Sequence, residues 1–136
     1  MIYLTRHEHF NAAHKLWNES WPDAKNHEVF GKCANPNWHG HNYELIVTVK
    51  GEIDPETGFL MDAKVLGELL RKHVCEKLDH RNLNLDVECM KGRLTSVENL
   101  AVAIWGLILP VLPSAITLHC VKLFETPRIS VEYYGG

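Results

Sequence analysis

The stretch that most constrains this chain runs from Cys33 to Val49 and reads Cys-Ala-Asn-Pro-Asn-Trp-His-Gly-His-Asn-Tyr-Glu-Leu-Ile-Val-Thr-Val. Its second half is rich in β-branched and aromatic residues and predicts a strand over residues 39–50, ending at Gly51. Side chains on a strand alternate between faces, so His39, His41, Tyr43, Leu45, Val47 and Val49 project to one side. Glu44, Thr48 and Lys50 point to the other, with Ile46 the one apolar exception. Two neutral imidazoles at i and i+2 on a rigid strand can share one cation if a third ligand arrives from elsewhere. A zinc ion on three histidines with an open fourth position is a catalytic arrangement rather than a structural one.

The rest of the sequence is consistent with a soluble globular protein. At 136 residues it is expected to form one domain, burying roughly two-thirds of its unfolded surface. A net charge of −3 leaves no basic footprint for nucleic acid, and no apolar run is long enough to span a membrane. Met1–His7 lacks the basic-then-apolar layout of a signal peptide, and the four cysteines form no C-x-x-C pair. Reduced thiols in a cytoplasmic protein are therefore expected.

Taken in order, residues 2–14 predict a first strand with Phe10, Ala12 and His14 on one face. Residues 16–38 have no convincing period but hold three tryptophans, which predicts a packed loop that delivers Cys33 to the site. Asp54–Gly58 is a turn, after which Phe59-Leu60-Met61 is expected to return as a short strand and close a hairpin. Asp62 caps a helix whose apolar stripe runs from Val65 to Leu78. Thr95-Ser96-Val97-Glu98 has the capping-box pattern, and the apolar helix it opens ends at Pro110 and Pro113. Strands over 115–125 and 129–134 follow, joined by a turn at Thr126-Pro127-Arg128. This order predicts an α+β protein with helices covering one face of an antiparallel sheet. The open sheet edges predict assembly between subunits.

Four groups carry chemistry. His14 joins His39 and His41 as a candidate ligand, or is a half-buried strand-end residue. Cys33 is a buried small hydrophobe, a base or nucleophile beside a cation, or a fourth zinc ligand; its spacing from His39 does not match closed zinc sites. Asp79 can orient His80 and raise its basicity, or His80 can meet the end of a helix dipole. Glu125 is a solvated strand end, or a carboxylate able to accept two parallel N–H bonds from an amidine-like heterocycle. The residues alone point to a zinc enzyme with a thiol and an imidazole as its acid–base groups.

Five motifs then occur in one order: Phe10-x-Ala-Ala-His14, Gly31-Lys-Cys33-x-Asn-Pro-Asn-x-His39-Gly-His41-Asn-Tyr43, Leu78-Asp79-His80-x-Asn-Leu-Asn84, Glu98-Asn-Leu-Ala101, and Glu125. Together they resemble the 6-pyruvoyl-tetrahydropterin synthase and 6-carboxytetrahydropterin synthase family, over residues 4–134. The resemblance implies a tunnelling fold (T-fold), with a four-stranded antiparallel sheet and two helices on one face. It also implies trimers, or hexamers of two stacked trimers, with active sites between subunits. By resemblance His14, His39 and His41 hold Zn²⁺, Cys33 is the general base, and His80, oriented by Asp79, relays protons. Glu125 anchors the pterin ring of a 7,8-dihydroneopterin triphosphate substrate, with Ser96 and Glu98 at the helix start beside it. Where the family has two small hydroxyl residues before that glutamate, this chain has Ser96 and Val97.

Two products fit such an enzyme. The short chain resembles members that form 6-carboxytetrahydropterin with loss of triphosphate and acetaldehyde, on the route to queuosine and other deazapurines, and this is the main expectation. The alternative is the pyruvoyl-forming reaction of tetrahydrobiopterin synthesis, which loses triphosphate only; the five-residue gap between Cys33 and His39 is typical of it. A non-catalytic, zinc-stabilised pterin-binding protein is the reading from another class. Arg6, Lys15 and His27 are the cations or donors at hand for a triphosphate.

Overall fold

Two long strands with the same alternation pair along their whole lengths. β1 (Ile2–His14) runs antiparallel to β2 (His39–Gly51), from Ile2 opposite Gly51 to His14 opposite His39. The structure, a computed structural model, describes residues 1–136. Between these strands, the stretch expected to be a packed loop contains a helix, α1 (Asp23–Phe30), and a tight turn at Gly31–Ala34. Only Asn26 of α1 is buried, so the helix has no apolar stripe for a sequence pattern to reveal. Asn26 instead holds the loop, accepting from the Asn18 amide at 2.7 Å and donating to the Asn18 carbonyl at 3.0 Å.

The hairpin expected after β2 does not form. Asp54–Gly58 does turn, with the Gly58 amide 2.7 Å from the Asp54 carbonyl and Gly58 at φ +79°. Phe59–Met61, however, are not a strand, because both edges of β2 are already taken by β1 and by a later strand. Leu60 packs on Gly51, and Met61 joins the core. Asp62 then caps α2 (Ala63–Leu70) by accepting from the Lys64 amide at 2.9 Å. The predicted stripe from Val65 to Leu78 is one continuous helical run with a π-turn at Arg71–Cys75 before α3 (Glu76–Leu78). At that turn Arg71 reaches Glu8 at 2.7 Å, and Glu8 also accepts from Arg6 at 3.2 Å.

β3 (Arg81–Asn82) adds two residues parallel to β1 at Ala12 and Ala13. α4 (Val97–Ile108) begins one residue later than the capping box predicts. Ser96 is its cap, 3.2 Å from the Asn99 amide, and the Thr95 hydroxyl is drawn 3.1 Å from both the Lys15 carbonyl and Asn84 Oδ1. β4 (Thr117–Thr126) and β5 (Ile129–Tyr133) complete a sheet of order β3-β1-β2-β4-β5. The four long strands are antiparallel as expected; the short parallel β3 is the addition. Tyr43, Leu45, Val47 and Val49 of β2 face Leu66, Leu70 and Val74 of the helical run and Leu100, Ile104 and Ile108 of α4 in one apolar core. No helix is long and apolar enough to cross a membrane.

Candidate metal centre

The β1–β2 register builds the site. Because His14 lies opposite His39, and His41 is two residues further along the same face, three imidazoles meet where β1 ends and β2 begins. Their ring centroids lie 4.6–5.1 Å apart, and one ligand atom from each falls within 4.8 Å of the others. His14 is buried, and its Nδ1 lies 2.7 Å from the Thr95 carbonyl. A carbonyl can only accept, so Nδ1 carries the proton and Nε2 presents a lone pair.

That lone pair has no hydrogen-bond partner. Neither does Nδ1 of His39, Nε2 of His41 or the Tyr43 hydroxyl, all of them buried. Buried polar atoms are normally satisfied, so convergent orphan imidazole nitrogens mark a place for a cation. Burial pushes the His14 pKa from 6.5 down to about 4, outweighing the opposing bond to Thr95. Burial also lowers His39, with His41 adding to the effect. Neutral rings need shed no proton to bind a metal ion. Burial, reinforced by Glu125, pushes the Tyr43 phenol far up, so it remains an O–H.

Glu125, near the end of β4, reaches the same centre. Its two oxygens lie 4.0 Å from His14 Nε2 and from His41 Nε2, beyond hydrogen-bond distance. Cys33 sits exposed in the turn at Gly31–Ala34, which the buried Ala34 anchors. Its carbonyl accepts from the Leu16 amide at 2.8 Å, which ties the turn two residues past His14. Ser96 is spent on its helix cap, and Glu98 is exposed on the first turn of α4.

Asp79 and His80 form the predicted pair, Oδ2 to Nδ1 at 2.9 Å, just past the end of α3. Asp79 Oδ1 accepts from the Asn11 amide at 2.9 Å, and the His80 amide donates to the Asn11 carbonyl at 2.7 Å. That bond to Asn11, ahead of the one to His80, holds the Asp79 carboxyl below its usual range. The pair docks on the β1 edge, where His80 lines one cleft together with Asn11, Ala13, Gly40, Asn42 and the triad residue His41. Within one chain, then, the triad and Glu125 come together, while Asp79–His80 bonds only to itself and to backbone. Tyr43 lies beside the triad on the face where the alternation put it. One contributor escaped the sequence reading: the Thr95 carbonyl, a backbone group that leaves no residue-type signal.

An α+β sheet covered by helices on one face, with three imidazoles and a carboxylate at one end of its central strands, defines a metal-binding T-fold protein. The family model for 6-pyruvoyl tetrahydropterin synthase matches residues 3–136, and the chain belongs to that family. It is 42% identical over 132 residues to the human 6-pyruvoyl tetrahydrobiopterin synthase, covering 97% of this chain and 90% of the relative. The Drosophila melanogaster protein of the same name is 43% identical over 135 residues, covering 99% and 80%. The structure of Caenorhabditis elegans 6-pyruvoyl tetrahydropterin synthase superposes with a TM-score of 0.92 at 38% identity, covering 99% of this chain and 96% of that one. The protein is thus an enzyme of this lyase type, and the non-catalytic reading falls away. The names of these relatives also overturn the expected carboxy-forming reaction. That expectation rested on chain length, which says nothing of chemistry at the site, whereas the Cys33–His39 spacing already pointed to pyruvoyl-forming members.

Proposed function

We propose that this protein is a single pterin-synthase domain that converts 7,8-dihydroneopterin triphosphate to 6-pyruvoyl-tetrahydropterin with release of triphosphate. The observation that carries this reading is the set of unpartnered imidazole nitrogens on His14, His39 and His41, with Thr95 fixing the His14 tautomer. These three residues would hold Zn²⁺, the ion that suits neutral imidazoles in an open site. When bound, the ion supplies Lewis-acid stabilisation to negative charge developing on side-chain oxygens of the substrate.

The chain's own groups do the rest. Glu125 accepts two parallel N–H bonds from the pterin ring and sets its distance from the triad, with Ser96 and Glu98 at the α4 start completing the ring's surroundings. Cys33, as thiolate, removes a proton from the substrate side chain. His80, oriented by Asp79, returns protons during the tautomerisation that accompanies loss of triphosphate. Asp79–His80 docks on the β1 edge and makes no bond to the triad within one chain, and on this reading the pair serves the site of a neighbouring subunit in a trimer or hexamer. The unpaired cysteines and the absence of a membrane-length apolar helix support work in the cytoplasm.

Incubating zinc-loaded protein with 7,8-dihydroneopterin triphosphate should release triphosphate and a 6-pyruvoyl product without acetaldehyde. Acetaldehyde formed in step with triphosphate, or no triphosphate at all, would overturn the reading.

A further inference from the structure

The one side chain that α1 buries is an amide. A helix of eight residues is too short to stand on its own and normally docks by an apolar stripe. Here Val29 is exposed, and Trp21 and Phe30 stack on each other at half-buried positions. Asn26 does the docking. Its Oδ1 accepts from the Asn18 amide at 2.7 Å, and its Nδ2 donates to the Asn18 carbonyl at 3.0 Å. The same Nδ2 lies 3.3 and 3.4 Å from the carbonyls of Pro22 and Trp21. Every bond of this amide therefore goes to the backbone of residues 18–22.

α1 leads straight to Cys33. The helix ends at Gly31, whose φ of +55° and ψ of −127° swing the chain into the Gly31–Ala34 turn that carries the thiol. Two other ties hold that turn. The Cys33 carbonyl accepts from the Leu16 amide, two residues past His14. Asn35 accepts from the amides of Asn37 and Trp38 at 2.9 and 3.1 Å, just ahead of His39. The turn is thus fastened to both strands that carry the triad, and the angle at which α1 enters it is left to Asn26.

We infer that Asn26 is a positioning residue for Cys33: it clasps α1 to residues 18–22 and so fixes the approach of the thiol to the histidine triad. The inference rests on the reading of Cys33 as the base of the proposed reaction. A base must lie within hydrogen-bond reach of the proton it removes, and a displacement of about 1 Å can cost roughly 10²-fold in rate. Cys33 is exposed, so little packs on its side chain, and its place is set by the backbone beneath it.

Asn26→Leu keeps the size of the side chain and removes its bonds. In zinc-loaded protein it should lower kcat by roughly 10²-fold, with KM and zinc content unchanged. A second readout needs no substrate. Zinc at the triad should favour the Cys33 thiolate, so alkylation of Cys33 by iodoacetamide, followed by mass spectrometry, should reach half its limiting rate at a lower pH in zinc-loaded than in zinc-free wild type. In Asn26→Leu that gap should close, whereas a purely structural role for Asn26 would leave it in place. Gly31→Ala disturbs the same joint by another route and carries the test should Asn26→Leu fold poorly. An added methyl there meets nothing within 4 Å, so it strains only the backbone at a positive φ, and it should show the same two effects. Val29→Ala, on the exposed side of α1, should show neither. Wild-type kcat with an undiminished gap in Asn26→Leu and Gly31→Ala would overturn the inference, as would a loss confined to KM or the lack of any gap in wild type. Full activity of Cys33→Ala would instead sink the reading of Cys33 as base, while a closed gap in Asn26→Leu would leave the clasp standing.

Discussion

Burial of His14 sets the direction in which acid acts on the metal-free protein. Its folded pKa lies near 4 against 6.5 for an exposed ring, so between those values the unfolded chain holds a proton that the folded chain refuses. Stability is intact above about pH 6.5 and is lost as the pH falls towards 4, by about 3 kcal/mol from this ring alone. Urea unfolding of metal-free protein at pH 7 and pH 4.5 should show a clear drop in midpoint; His14→Gln should shrink that drop. Two further substitutions separate ligand from base. His39→Ala should abolish stoichiometric zinc, measured by atomic absorption. Cys33→Ala should keep the zinc and lower turnover by about 10²–10⁴-fold, the usual loss on removing a general base. Full activity in that variant would remove Cys33 from the chemistry.

At the scale of elements, β2 is the strand on which the core and the site both depend. Leu45 is fully buried at its centre, so Leu45→Ala should destabilise the fold by about 2–5 kcal/mol through lost burial and the cavity it leaves. Denaturant unfolding checks this. The strands were legible in the sequence because each buries one face and so alternates: Phe10, Ala12 and His14 on β1, and Tyr43 to Val49 on β2. The triad followed from the same rule. What escaped was whatever does not bury an apolar stripe or is decided by tertiary competition. α1 buries only Asn26, and the π-turn at Arg71–Cys75 leaves the apolar spacing of its helix almost unaltered. Phe59–Met61 has strand-like composition, yet no edge of β2 was free to receive it. The place of Asp79–His80 beside Asn11 depends on where the helical run ends against β1, which no local pattern records.

At the scale of the whole molecule, the parts of the proposed site lie in two places. The triad and Glu125 gather at one end of the β1–β2 pair, Cys33 sits in the Gly31–Ala34 turn, and Asp79–His80 sits at the β1 edge. If subunits complete one another, Cys33→Ala and His80→Ala proteins, each inactive alone, should recover activity when unfolded together and reassembled in equal amounts. Random assembly makes about a quarter of the interfaces fully intact. No recovery would place all the groups within one chain.

The pairing of β2 on both edges has a last consequence, one of timescale. Amide protons from Glu44 to Val49 are locked between β1 and β4, so they should exchange with solvent only when the entire fold opens. His39 and His41 precede that stretch, on the part of β2 that pairs with β1 alone. A chelator should therefore strip the ion through the mouth of the intact site, at a rate indifferent to denaturant until the protein itself unfolds. The lifetime of an ion held there should therefore follow the opening of the pocket, and not that of the doubly paired backbone beyond it.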